Sequence, residues 1–111
     1  MAPPFTAAAQ RRDAETWIVT VSGELDLATA PQLEAVFEAV DATSSDRVLV
    51  DLAGVAFLDS SGIRALVRAK RRLDGIGAPL VVDAVSEVAR QVLEISGVLE
   101  ALSDSPPDPG V

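Results

Sequence analysis

Four consecutive residues, Asp59, Ser60, Ser61 and Gly62, carry the groups best placed for chemistry: a carboxylate, two hydroxyls and a position with no side chain. They follow the apolar pair Phe57-Leu58 and open a segment with helical spacing, so a polar tip sits between an apolar rim and the start of a helix. The first backbone N–H groups of a helix lack intrahelical partners and carry partial positive charge, which favours a hydroxyl or a phosphate beside them. Ser60 or Ser61 is the expected N-cap, and capping alone is reason enough for a serine there. Gly62 is a poor helix former inside the first turn, where its small size allows another backbone or a ligand to come close.

Other chemistries are narrowed by what the 111 residues lack. There is no histidine and no cysteine, which removes Ser-His-Asp and Cys-His catalysis, the usual zinc sites and disulfide staples together. No Gly-rich phosphate loop occurs, and no activating base stands at an obvious spacing from Ser60. Glu24 and Asp26, with Asp51, suggest a Mg²⁺-dependent phosphoacceptor site. Such a site wants converging oxygens and a lysine near the transferred phosphate, whereas Lys70 is the only lysine and lies well down a helix. A turn in which Asp26 binds nearby backbone N–H groups is the simpler reading. No metal or cofactor is expected, and the protein does not read as an enzyme.

The elements that must hold this tip follow from hydrophobic periodicity. The run 47–52 is almost wholly apolar and reads as a buried central strand ending near Asp51, with a loop carrying Gly54 after it. Upstream, Phe5, Ala7 and Ala9 alternate in a weak strand over 5–11. The polar 12–15 makes a hairpin, and 16–22 is a clear strand with Trp17, Val19 and Val21 on one face. Thr29 with Gln32 is a capping box, with Pro31 in the first turn, and Leu33, Val36, Phe37 and Val40 form the buried face of a helix. A helix between two strands of one sheet implies a right-handed crossover and parallel strands. The helix from Ser61 to about Leu73 buries Ile63, Leu66, Val67 and Leu73 and is stopped by Gly75 and Gly77. Leu80-Val81-Val82 is a short strand. Ser86 caps a third helix with Val88, Val92 and Ile95 inward, ended by Gly97, and 98–102 is a short strand or a turn of helix. The fold class is therefore α/β, one domain over 1–102 with a mixed sheet of four to five strands, the first antiparallel and the rest parallel, and about three helices. Residues 103–111 have the composition of a disordered tail.

A net charge of −8 and a pI near 4.3 argue against nucleic-acid binding. Yet five of the nine basic residues, Arg64, Arg68, Lys70, Arg71 and Arg72, lie in the helix after Ser60. They complement the helix dipole or form a ridge facing an acidic partner. Met1-Ala2-Pro3-Pro4 shows no signal-peptide pattern and no run approaches membrane-spanning length, so a cytoplasmic protein without a membrane partner is expected.

The run from Val48 to Leu66, with Gly23-Glu24-Leu25-Asp26-Leu27-Ala28-Thr29 before it and Ile95-Ser96-Gly97-Val98-Leu99 after it, resembles the STAS family, specifically the bacterial anti-sigma factor antagonists. The resemblance implies that the first serine of the Asp-Ser-Ser-Gly tetrad, Ser60, is a phosphoacceptor. It implies a partner surface drawn from Glu24, Asp26, Thr29, Phe57, Leu58, Asp59, Ser61, Gly62 and Arg64. The implied partners are an anti-sigma factor with ATP-dependent serine kinase activity and a phosphatase of the PP2C type. Phosphorylation would release the first, with the helix N-terminus accommodating the phosphate and the fold kept. Related domains also serve as accessory or scaffold subunits of transport and stress-sensing complexes, the alternative reading.

Overall fold

Strong β-formers at alternating positions build the sheet, and the computed structural model describes residues 4–103. Its strands are β1 (Thr6–Arg11), β2 (Thr16–Leu25), β3 (Arg47–Leu58) and β4 (Leu80–Val85), and its helices α1 (Ala30–Glu38), α2 (Ser60–Gly75), α3 (Glu87–Ile95) and α4 (Leu99–Ser103). The sheet order is β1-β2-β3-β4, with β1 antiparallel to β2 and the other pairs parallel. Both parallel connections run the same way across the sheet, so two right-handed crossovers put α1 and α2 on one face.

The deeply buried residues of the regular strand stretches share that face: Val19 and Val21, Val48, Val50 and Leu52, Leu80 and Val82. They join one core cluster with Leu33 and Phe37 of α1, Leu66 and Leu73 of α2, Ala89 and Leu93 of α3, and Leu102 of α4. The molecule has two layers. The opposite sheet face carries Ile18, Leu49 and Val81 in a single register row, each half-buried.

Several elements differ from the sequence expectation, each for a visible reason. β3 does not stop at Leu52 but runs through Gly54 to Leu58, because β2 also continues and keeps pairing with it: Ser22 lies against Gly54, Gly23 against Val55 and Leu25 against Leu58. Two register slips, each placing one extra residue on β3, absorb the change. Thr29 flanks α1 but makes no side-chain cap, so the capping box with Gln32 does not form. Its hydroxyl is used elsewhere, donating to the Glu24 carbonyl at 2.7 Å and accepting from the Asp26 N–H at 2.9 Å. Residues 98–102 do not form a fifth strand; Leu99–Ser103 is a helical turn that seats Leu102, and Ser103, assigned to the tail by composition, is its last residue. The rest of that tail, 104–111, lies outside the described residues.

On α3 the inward set is Ala89 and Leu93, while Val88 is half-exposed and Ile95 is 87% exposed. Ser86 does cap α3, accepting from the Ala89 N–H at 3.2 Å, and its hydroxyl donates to the Val55 carbonyl at 2.6 Å. On α2, Ile63 and Val67 are only half-buried, and Ala65 and Ala69 complete the inward stripe beside Leu66 and Leu73. Gly75 remains inside α2. The helix closes two residues later at Gly77, whose φ of +82° admits the paired bonds Ala78 N–H to Leu73 C=O and Gly77 N–H to Asp74 C=O.

Candidate functional site

The edge of the sheet at the C-terminal ends of the parallel strands β2 and β3 delivers two chain turns side by side. β2 ends at Leu25 and turns into α1, while β3 ends at Leu58 and turns into α2. The Asp59 N–H donates to the Leu25 carbonyl at 3.2 Å and stitches the turns together. Asp59, and neither serine, is the N-cap of α2. Its backbone is extended, and one carboxylate oxygen accepts from the N–H groups of Ser61 at 2.9 Å and Gly62 at 3.3 Å. A carboxylate bound to two amides at the positive end of a helix gains more than a hydroxyl would, so Asp59 wins the position.

Ser60 is thereby displaced to the first helical residue. It is exposed, and neither its hydroxyl nor that of the half-buried Ser61 has a hydrogen-bond partner among the described residues. Two of the helix-start amides expected to accommodate a phosphate, those of Ser61 and Gly62, donate to Asp59 in the unmodified chain.

The other turn is stiff. One Asp26 carboxylate oxygen accepts from the N–H groups of Ala28 at 2.9 Å and Thr29 at 3.1 Å, the predicted Asx-type turn. Together with the two Thr29 hydroxyl bonds, this ties the loop to the end of β2. Its tip is Leu27, 77% exposed, which sequence reasoning did not select. The signal was available in the apolar residue lodged between Asp26 and Ala28, inside a turn whose neighbours are polar or small. Phe57, 46% exposed, lies on β3 opposite the exposed Glu24.

Two of the nominated partner residues sit elsewhere. Leu58 is 3% exposed and Gly62 is buried, so both act from within. A Cβ on Gly62 would come within 2.6 Å of both Leu25 Cγ and Leu58 Cδ1. The close approach that the glycine permits is therefore that of α2 onto two core leucines, with no ligand involved. Arg64, one turn beyond Ser60, is exposed. Asp51 pairs with Thr20, four residues before Glu24 on β2, so Asp51 and Glu24 are separated by roughly 13 Å along the strand at the usual rise. The acidic trio of a phosphoacceptor metal site is thus not assembled. Among the described residues no group of three or more acidic side chains is placed to hold a metal ion, and no helix is long and apolar enough to cross a membrane.

The fold is a two-layer α/β unit that presents the exposed Ser60 hydroxyl at the first turn of the helix after its central strand. Its family is shown directly: the model described as "Mlab, STAS domain" matches residues 8–103, and the chain belongs to the STAS-domain family. It is 32% identical over 84 residues to the anti-sigma-B factor antagonist of Staphylococcus epidermidis, covering 76% of this chain and 78% of that one. Among solved structures it is similar to an anti-sigma factor antagonist from Mycobacterium paratuberculosis, with a TM-score of 0.76 and 30% identity over 94% of this chain and 87% of that one. The unphosphorylated anti-sigma factor antagonist SpoIIAA, 20% identical, shares the fold with a TM-score of 0.70 over 95% of this chain and 91% of its own.

Proposed function

We propose that this protein is an anti-sigma factor antagonist of the cytoplasm, acting by binding and without catalysis of its own, and that Ser60 is its switch. The relatives named above support the class. The observation that carries the switch is the exposed, unpartnered Ser60 hydroxyl with two exposed apolar side chains at the same sheet end, Leu27 on the turn after β2 and Phe57 near the end of β3, the two chain segments being tied through Asp59 and Leu25. In the unmodified state, Leu27 and Phe57 enter the partner, an anti-sigma factor that is also an ATP-dependent serine kinase, and the complex frees a sigma factor. The Ser60 oxygen then attacks the γ-phosphorus of ATP. The bond from phosphorus to the β–γ bridging oxygen breaks, ADP leaves, and the hydroxyl proton passes to a base on the kinase.

The phosphate adds about −1.5 to −2 charges next to Asp59 on a chain of net charge −8. Enclosing that group in a packed, water-poor contact costs several kcal/mol unless cations meet it. Since each 1.4 kcal/mol is tenfold in affinity, about 3–4 kcal/mol lowers binding some hundred- to thousand-fold. A PP2C-type phosphatase restores the hydroxyl.

The test is the affinity of the purified kinase-type anti-sigma factor for three forms of the chain. Ser60→Ala is expected to bind like the unmodified protein and to take up no phosphate from ATP, and Ser60→Asp to bind at least tenfold more weakly. Equal binding of Ser60→Asp and Ser60→Ala, or undiminished phosphate uptake by Ser60→Ala, would overturn the reading.

A further inference from the structure

The charge ridge on α2 is uneven in its partners. Arg72 donates to the Phe37 carbonyl at 2.6 Å, Arg68 approaches Glu34 at 3.9 Å, and Lys70 holds Asp74 at 3.0 Å and the Leu80 carbonyl at 2.9 Å. Arg64 has neither an ion pair nor a hydrogen bond among the described residues, and it is exposed. It stands four residues after Ser60, on the same side of the helix and about 6 Å along the axis, the spacing at which helix side chains meet. Arg68 lies about 12 Å and Arg71 about 16 Å from Ser60 on the same measure, beyond the reach of one side chain.

The remaining charged groups at this end are acidic: Asp59 in the cap, and Glu24 and Asp26 on the adjoining turn. The helix amides offer little, since the Asp59 carboxylate already accepts from two of them.

We propose that Arg64 is the internal clamp for a phosphate on Ser60. This rests on the reading of Ser60 as the acceptor and gives the switch a second half. In the unmodified protein Arg64 is a free cation beside the docking surface, available to an acidic group of the partner. Once Ser60 carries a phosphate, the guanidinium turns back one helical turn and forms charge-assisted hydrogen bonds to its oxygens. The modification therefore adds an anion and withdraws a cation in the same event, and the phosphorylated first turn remains helical.

The test places phosphoserine at position 60 of the full chain during translation, so no kinase is required, and follows the ³¹P resonance through a pH titration at low salt. The clamp predicts that the second phosphate pKa of the Arg64→Ala protein lies about half a unit above that of the Arg64 protein, from one charge-assisted pair at an exposed helix site. Arg64→Lys is expected to fall between them, and 1 M salt to shrink the difference by screening. Coincident titration curves for Arg64 and Arg64→Ala would overturn the clamp. The unphosphorylated Arg64→Ala protein serves as a folding control, with an unchanged melting curve expected. A separate incubation of the unmodified chain with the anti-sigma kinase and ATP reports on the reading beneath: no phosphate at Ser60 would overturn that reading, while the ³¹P shift still decides the Arg64 contact.

Discussion

Asp59 performs two tasks with one carboxylate oxygen. It caps α2 through Ser61 and Gly62, and in doing so it leaves the Ser60 hydroxyl with nothing to bind. Had a serine capped the helix, its oxygen would have been engaged by the backbone and less free to react. Asp59→Ala is expected to cost about 1 kcal/mol in urea unfolding, the usual value of a lost cap, and Asp59→Asn to recover most of it because asparagine caps nearly as well. A loss that Asn fails to restore would mean that the carboxylate charge matters more than its geometry. Both serines stood out in the sequence. The capping residue did not: the expectation fell on Ser60 or Ser61 and passed over Asp59, although Asp caps as well as Ser and directly precedes them.

Among the elements, the hairpin and the α1–β3 loop are coupled by one buried carboxylate. Asp46, 3% exposed, accepts from both terminal nitrogens of Arg11 at 3.1 and 3.2 Å and from the Thr43 N–H at 2.8 Å, while the Arg11 guanidinium stacks 4.8 Å from the Trp17 ring centre. The hydrogen bonds from Arg11, followed by that from the Thr43 backbone, hold the Asp46 carboxyl below its ordinary range. A carboxyl depressed on folding contributes stability above its unfolded pKa of about 3.9 and loses it as pH falls through the lower folded value. The melting temperature is therefore expected to be insensitive to this group from pH 7 to about 5 and to fall below about 4. Asp46→Asn should begin lower and decline less steeply over the acid range, as read by circular dichroism at each pH.

The elements themselves were largely legible. The hairpin, the parallel crossovers, Ser86 as a cap and the stop at Gly97 all follow from period and turn chemistry. The far half of β3 was not, because Ala53-Gly54-Val55-Ala56 has weak β preference and is held extended by pairing with β2, a tertiary fact. Thr29 misled for a similar reason: its hydroxyl had a better acceptor in Glu24, five residues back and brought close only by the turn. Val88 and Ile95 share one helical stripe with Val92, but α3 meets the sheet through Ala89 and Leu93, a small-large pair that periodicity ranks below the β-branched stripe.

At the scale of the whole molecule, one hydrophobic layer carries the fold, and every helix contributes to it. The shortest helix makes a disproportionate contribution, since five residues from Leu99 to Ser103 place Leu102 at 0% exposure against that layer. Leu102→Ala is expected to destabilise the protein by about 2–5 kcal/mol, the range for leucine truncation in a core. The urea midpoint should fall while its slope is unchanged. A loss under 1 kcal/mol would mean that α4 docks loosely and that the layer closes without it.

The sheet's order in space repeats the order in which its strands are made. During synthesis each strand emerges beside the one it pairs with, the β1–β2 hairpin first, and each later helix meets strands that have already left the ribosome: α3 on β3, α4 on β4 and α2. No strand waits for a distant partner still inside the exit tunnel, so the nascent chain can zip up from its leading end and is spared long exposure of unpaired edges. Helix α4, made after all four strands and carrying Leu102, acts as the latch on a sheet that is otherwise already laid down.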